Sequence, residues 1–226
     1  MHKKSMKKKG LILLDFDHTI FNTTLFVRLL KDALKPLGVT EEEFGQKREY
    51  LKDCCAVVDI DSFTLQLSSP YKKEMHDAIH HVIEQYGHSL VFKDALVFIR
   101  RHTAMGWDIV IVTKGNYELQ TEKIAHSGLP EEVGVVITQE RKDKAIAHIV
   151  EKYDVIHFVD DKAQHIDEVK KAFPKIITHF IKRPEDMPYG NEDSQCGCAD
   201  DVILDLVWTI GEGVQNMQGN GHGPFK

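Results

Sequence analysis

The sequence predicts an α/β protein: a doubly wound parallel sheet with a helical segment inserted after its first strand. Three observations carry that expectation. Short aliphatic runs bounded by polar residues recur along the chain, as strands buried on both faces require. From about residue 91 these runs alternate with stretches of helical periodicity, the pattern of βαβ units. Between residues 22 and 90, by contrast, only helical spacing is found.

The elements follow in order. Gly10-Leu11-Ile12-Leu13-Leu14 reads as the first strand. Leu25, Phe26, Leu29, Leu30 and Leu34 then repeat at helical spacing until Lys35-Pro36-Leu37-Gly38 stops the helix. Thr40 with Glu43 three residues on forms a capping box for a second helix. Ser69-Pro70 opens a third, carrying Met75, Ile79, Val82, Ile83 and Tyr86 before Gly87. Beyond it, helices are expected over about 93–105, 117–127, 143–153 and 164–172. Strands are expected at 108–112, 134–138, 155–159 and 175–181, with 199–206 packing on the sheet edge before a helical turn. The domain reading is a basic, disordered tail at 1–9, an α/β core of 10–21 and 91–212, a helical insert at 22–90, and a Gly-rich disordered tail at 213–226.

Composition narrows the function classes. With 226 residues the chain can bury a sizeable core, and 42% hydrophobic with 28% charged residues is ordinary for a globular protein. A net charge of −6 argues against a dedicated nucleic-acid binder. No apolar run approaches the roughly 20 residues that span a bilayer, and the run after the basic start is too short for a signal peptide. A cytoplasmic protein without membrane contact is expected. Neither Cys54-Cys55 nor Cys196-Gly197-Cys198 has the CxxC spacing of zinc or redox sites, so reduced thiols are expected.

The chemistry gathers at strand ends. Asp15 and Asp17 follow the first strand and, at i and i+2, lie on one side of an extended chain. Two negative charges that close need a cation or a shared proton, which Mg²⁺ with an incoming phosphate would supply. The second strand ends in Thr113-Lys114-Gly115-Asn116, and the fourth in Asp160-Asp161. Lys142 and Lys144 are both candidate cations. From Lys142, Ile146, Ile149 and Val150 fall at +4, +7 and +8, one buried stripe with the lysine at its N-terminal end; from Lys144 that phase is lost.

Asp15-Phe16-Asp17-His18-Thr19, Thr113, a lone lysine and Asp160-Asp161 in this order resemble the four motifs of the haloacid dehalogenase-like (HAD) hydrolase superfamily, over about residues 10–182. The resemblance implies a Rossmann-like core with a helical cap and a Mg²⁺-dependent phosphatase. Asp15 would be the nucleophile, forming an aspartyl-phosphate, and Asp17 the general acid and base. Mg²⁺ would be held by the Asp15 carboxylate, the Asp17 main-chain carbonyl and Asp161. Thr113 and the amides of Lys114 and Gly115 would bind phosphoryl oxygens, and Lys142 would neutralise charge. Asp160 and Thr19 would support these groups from behind. Many relatives carry a further acid four residues past the metal-binding Asp; here that position is His165, with Asp167 as a candidate substitute. The run from Thr113 through Gln120, Lys123 and Ser127-Gly128-Leu129 is similar to the branch hydrolysing nucleotide and flavin phosphates. The insert shows no obvious basic cluster, which favours a small phosphomonoester such as a sugar phosphate or nucleoside monophosphate. The competing expectations are a phosphoprotein or nucleic-acid-end phosphatase, a haloacid dehalogenase, and a non-catalytic binding protein on the same scaffold.

Overall fold

The computed structural model describes residues 8–55, 58–186 and 196–208. Six strands form one sheet: β1 (Lys8–Leu14), β2 (Asp108–Lys114), β3 (Gly134–Thr138), β4 (Tyr153–Asp160), β5 (Ile177–Ile181) and β6 (Asp201–Ile203). All neighbours are parallel, in the order β3-β2-β1-β4-β5-β6. The winding reverses beside β1, so β1 and β4 flank the crevice where open α/β sheets bind ligands. β1 starts two residues before its aliphatic run, because Lys8 already pairs with Tyr153.

Alternation along β1 explains the layers. Leu11 and Leu13 join Ile146 and Val150 of α7 (Lys142–Val150) and Ile166 and Val169 of α8 (Ala163–Ala172) on one face. Ile12 and Leu14 join Phe98 and Ile99 of α5 (Lys93–Ala104) on the other. α6 (Tyr117–Ala125) connects β2 to β3. Gly10 is glycine for room: a Cβ there would lie 2.3 Å from the Trp107 ring.

Between β1 and α5 lie α1 (Thr23–Leu34), α2 (Glu41–Cys55), α3 (Ile60–Gln66) and α4 (Lys72–Tyr86), with no named strand among the described residues. Thr40 Oγ1 accepts from Glu43 N–H at 3.1 Å, half of the expected capping box. α3 is an element the sequence reading lacked; seven residues are too few for a clear period, and it is fixed by the Asp59 side chain accepting from Ser62 N–H at 2.7 Å. The helices bury Phe26, Leu34, Phe44, Phe63, Met75 and Ile79 in a hydrophobic cluster continuous with Ile12 and Leu14 of the sheet. The two chain crossings are tied together: Asn22 N–H donates to Leu90 O at 2.8 Å and Phe92 N–H to Ile20 O at 3.0 Å. No helix among the described residues is long and apolar enough to cross a membrane. The Cys54 and Cys55 thiols, residues 1–7 and the Gly-rich tail lie outside the described residues, as does most of the stretch expected to form a turn after Leu206. Cys196 and Cys198 are free thiols.

A histidine cluster is packed under the sheet. The His157 and His179 rings stack 5.2 Å apart and share a 2.9 Å hydrogen bond between Nδ1 and Nε2. Trp208 stacks on His179, Trp107 meets His157 edge-on, and Asp201 lies 3.8 Å from His179. Burial, then His179 and His102, press the His157 pKa down from 6.5 to about 3. Between those values the unfolded chain binds the proton and the folded chain does not, so stability is full above pH about 6.5 and declines below it. The expected loss is about 1.4 kcal/mol per pH unit from His157. Urea unfolding at about pH 7 and about pH 5.5 measures it, and His157→Gln should flatten the dependence.

Candidate active site

The site is assembled where β1 and β4 end. Leu14 registers with Val159, and Asp15 N–H donates to Val159 O at 2.9 Å, which sets Asp15 opposite Asp160. The chain then turns sharply: Phe16 O accepts from Ile20 and Phe21 N–H, both at 3.0 Å, and His18 takes a positive φ of 60°. Phe16, fully buried, stacks on Phe21 with ring centroids 4.9 Å apart, so the acids on either side of it face the crevice.

Asp15, Asp160 and Asp161 converge: each offers a carboxylate oxygen, all within 4.8 Å of one another, and all three residues are buried. Lys142, the first residue of α7, is fully buried between them and donates to Asp15 and, at 2.6 Å, to Asp160. Lys144 is exposed. Asp160 has donors on both oxygens: Lys162 N–H at 2.9 Å and His165 Nδ1 at 3.1 Å on one, Lys142 on the other. Burial would raise its pKa, but Lys142 and His165 hold it below the usual range. Asp161 is the opposite case. Its Oδ2 is buried without a hydrogen-bond partner. Burial, with Asp15 and Asp160 nearby, drives its carboxyl well above the usual range. Asp15 is raised as well, by burial and Asp160 against the pull of Lys142.

One lysine against three carboxylates leaves the site short of positive charge. An orphaned buried carboxylate oxygen costs several kcal/mol unless something binds it. A hard divalent cation with oxygen ligands fits that vacant oxygen, with Asp15 and Asp161 as holders and Asp160 already satisfied behind them. Thr19 Oγ1 stands 3.5 Å from the second oxygen of Asp15.

Asp17 lines the same cavity but stands apart from this trio. Its carboxylate accepts from the buried Lys123, from Thr23 Oγ1 at 2.5 Å and from Gln120 Nε2 at 2.8 Å. Burial raises its pKa, but Lys123, Thr23 and Gln120 together outweigh burial and hold it below the usual range. Lys123 also sits over the Phe21 ring, 4.9 Å from its centroid.

On the β2 side Thr113 is buried and accepts from Gln120, while Lys114 is exposed on the cavity wall. The expectation that the Gly115 amide binds phosphate is corrected: that N–H donates to Thr138 O at 3.1 Å. Gly115 instead makes room, since a Cβ would meet the Gln120 side chain at 3.1 Å. Asp167 does not replace the missing acid; it accepts from the Cys196 thiol at 3.5 Å, and the imidazole at position 165 serves Asp160 instead.

The cavity measures about 460 Å³. Phe26, Leu30, Phe44 and Phe63 wall it from the inserted helices. So do Arg48 and Lys52 of α2, correcting the reading that the insert is without a basic cluster. They were missed because α2 shows little apolar stripe to fix its phase. Asp186 was missed too: it accepts from Thr23 and Thr24 N–H at 2.9 and 3.1 Å and from His18 at 2.8 Å, pinning the start of α1. Its loop is distant in sequence and has no periodic pattern.

No family model matches this chain, and no curated protein matches it. Solved structures do. A haloacid dehalogenase-like hydrolase from Burkholderia xenovorans is 22% identical, with a TM-score of 0.72 over 88% of this chain and 96% of that one. A HAD phosphatase from Thermococcus onnurineus is 20% identical, with 0.57 over 87% and 94%. The HAD-hydrolase YfnB from Bacillus subtilis, bound to magnesium, is 14% identical, with 0.60 over 88% and 96%. Dehalogenases share the architecture as well. The chain has the fold of the haloacid dehalogenase-like hydrolases.

Proposed function

We propose that the chain is a Mg²⁺-dependent phosphatase of the HAD superfamily, acting on a small phosphomonoester with residues 22–90 as its cap. One observation carries this reading: Asp15 and Asp161, on adjacent strand ends, share a charge-deficient pocket in which an Asp161 oxygen has no partner. An Asp15 oxygen bonds to phosphorus as the ester P–O bond breaks, and the leaving oxygen takes a proton from Asp17. Water then attacks the aspartyl-phosphate, Asp17 takes its proton, and inorganic phosphate departs. Asp15, Asp161 and the Asp17 carbonyl would hold Mg²⁺, which would neutralise phosphoryl charge. Thr113 and Lys114 bind phosphoryl oxygens, and Lys142 keeps Asp15 ionised and oriented. Lys123, Thr23 and Gln120 keep Asp17 ionised but make it a weak base, so both of its roles require its carboxyl to part from Lys123.

Carbon–halogen cleavage uses the same nucleophile and is the second reading, since dehalogenases share the fold. A halide leaves without a proton, however, and Asp17 is held at the cavity by three donors. The ester reading is the one that gives this acid a task.

Phosphate release from a panel of phosphomonoesters with Mg²⁺ tests the reading. Asp15→Asn should lower kcat by about 10³-fold or more. Unchanged release in that variant would defeat the mechanism, turnover of haloacids alone would support the dehalogenase, and inertness to both a binding protein. Mg²⁺ should raise the melting temperature in a concentration-dependent way, by about 2.7 kcal/mol of stability at a hundred times Kd. Asp161→Asn should abolish that rise in differential scanning calorimetry. Lys142→Met should destabilise the fold by about 3–5 kcal/mol, because Asp15 and Asp160 lose their shared cation; chemical denaturation reads the change.

A further inference from the structure

We propose that His76 and His80 form a second metal site, which takes a divalent ion of the imidazole-binding type, Zn²⁺, and fastens the inserted helices to α6. Neither histidine lines the cavity that holds Asp15 and Asp161, and the inference does not rest on the phosphatase reading.

The two histidines stand four residues apart on α4, and so on one face of that helix. Met75 and Ile79, the residues just before them, are buried in the hydrophobic cluster. That packing fixes the phase of α4 and sets both rings at the border of its buried stripe. Their side chains are each 39% exposed, so an ion can reach them with its water. The two Nε2 atoms lie 3.2 Å apart while the ring centroids are 4.3 Å apart, so the rings converge at their Nε2 tips. Two zinc–nitrogen bonds of about 2.0–2.1 Å at a tetrahedral angle separate their nitrogens by about 3.3–3.4 Å. The pair already has close to that spacing.

Glu122 of α6 decides the tautomer. A carboxylate only accepts, so His80 Nδ1 carries the proton and donates to Glu122 at 2.6 Å. In the neutral ring this leaves the Nε2 lone pair bare and aimed at His76. Ligating histidines are oriented in this way, by a carboxylate on the nitrogen that does not bind the metal. His76 has Asp77 3.9 Å from its Nδ1 and Asp61 of α3 3.4 Å from its Nε2. Every ion-pair partner of the two rings among the described residues is a carboxylate, so the local field favours a cation. Imidazole nitrogens select zinc over Mg²⁺, which keeps to oxygen ligands. Among the described residues only Asp15, Asp160 and Asp161 bring three ligand residues within 4.8 Å of one another. The α4 site is therefore a two-imidazole one, and its other coordination positions fall to water.

The place of the site gives it a consequence. α6 also carries Gln120 and Lys123, which both donate to Asp17. An ion on His80 strengthens the joint between α4 and α6 through Glu122, one residue from Lys123.

Calorimetric titration of Zn²⁺ into the full chain, with excess Mg²⁺ for the strand-end acids, tests the site. The unmodified chain should take up one zinc per chain more than the His76→Asn, His80→Asn double variant. Glu122→Gln should raise the Kd of that event about tenfold, and His81→Asn, beside the pair, should leave it unchanged. Zinc should raise the melting temperature of the unmodified chain more than that of the double variant; the melting temperatures without zinc check that each variant is folded. Equal zinc uptake by the unmodified chain and the double variant overturns the site. An unchanged Kd in Glu122→Gln overturns the role given to Glu122. Uptake is read without substrate, so the phosphatase reading stands or falls separately.

Discussion

The contact on which this site depends is the buried ammonium of Lys142 between Asp15 and Asp160. Two carboxylates facing each other across adjacent parallel strands repel strongly in a region shielded from water. Lys142 makes the arrangement tolerable, and it can do so because α7 immediately precedes β4. Ile146 and Val150 fix the helix on the sheet, which leaves its first residue no outlet but the strand ends. Packing thus decides where the charge goes. The compensation is incomplete by design of the sequence: Asp161 adds a third carboxylate with no donor for one oxygen.

A second set of contacts ties the inserted helices to the reacting groups. Thr23 opens α1 and its hydroxyl donates to Asp17, while the main chain of the same turn donates to Asp186 from the loop after β5. Arg183, in that loop, donates to Thr19 O and pairs with Asp94 of α5. Any displacement of α1 therefore changes the partners of Asp17. The buried Lys123 completes this arrangement from α6, its ammonium offset by Asp17 and by the faces of Phe16, Phe21 and Phe26. The start of α1 and the state of Asp17 are linked through one helix turn.

Much of this was legible because it is periodic. Strands buried on both faces gave aliphatic runs, and the acids following two of them mark the strand ends that meet in the crevice. Lys142 could be told from Lys144 because its helix has an apolar stripe with a definite phase. What was not legible lacks a local pattern. Gly115 has the look of a phosphate-binding glycine, yet its amide goes to β3 and its missing Cβ accommodates Gln120. His165 replaces an expected acid and supports Asp160, a role visible only once Asp160 and Lys142 are in place. Arg48 and Lys52 belong to a polar helix whose inward face is set by tertiary contacts rather than by its own composition.

The distribution of charge makes folding and function oppose each other. A chain selected for stability alone would place an asparagine at one of the three acids, since removing uncompensated charge from a partly dry pocket stabilises the folded state. Here three carboxylates are gathered at the strand ends, and they share Lys142 while one Asp161 oxygen is left without a hydrogen-bond partner. Such crowding is held in place because the continuous hydrophobic cluster and the sheet carry the fold. A bound cation would relieve it.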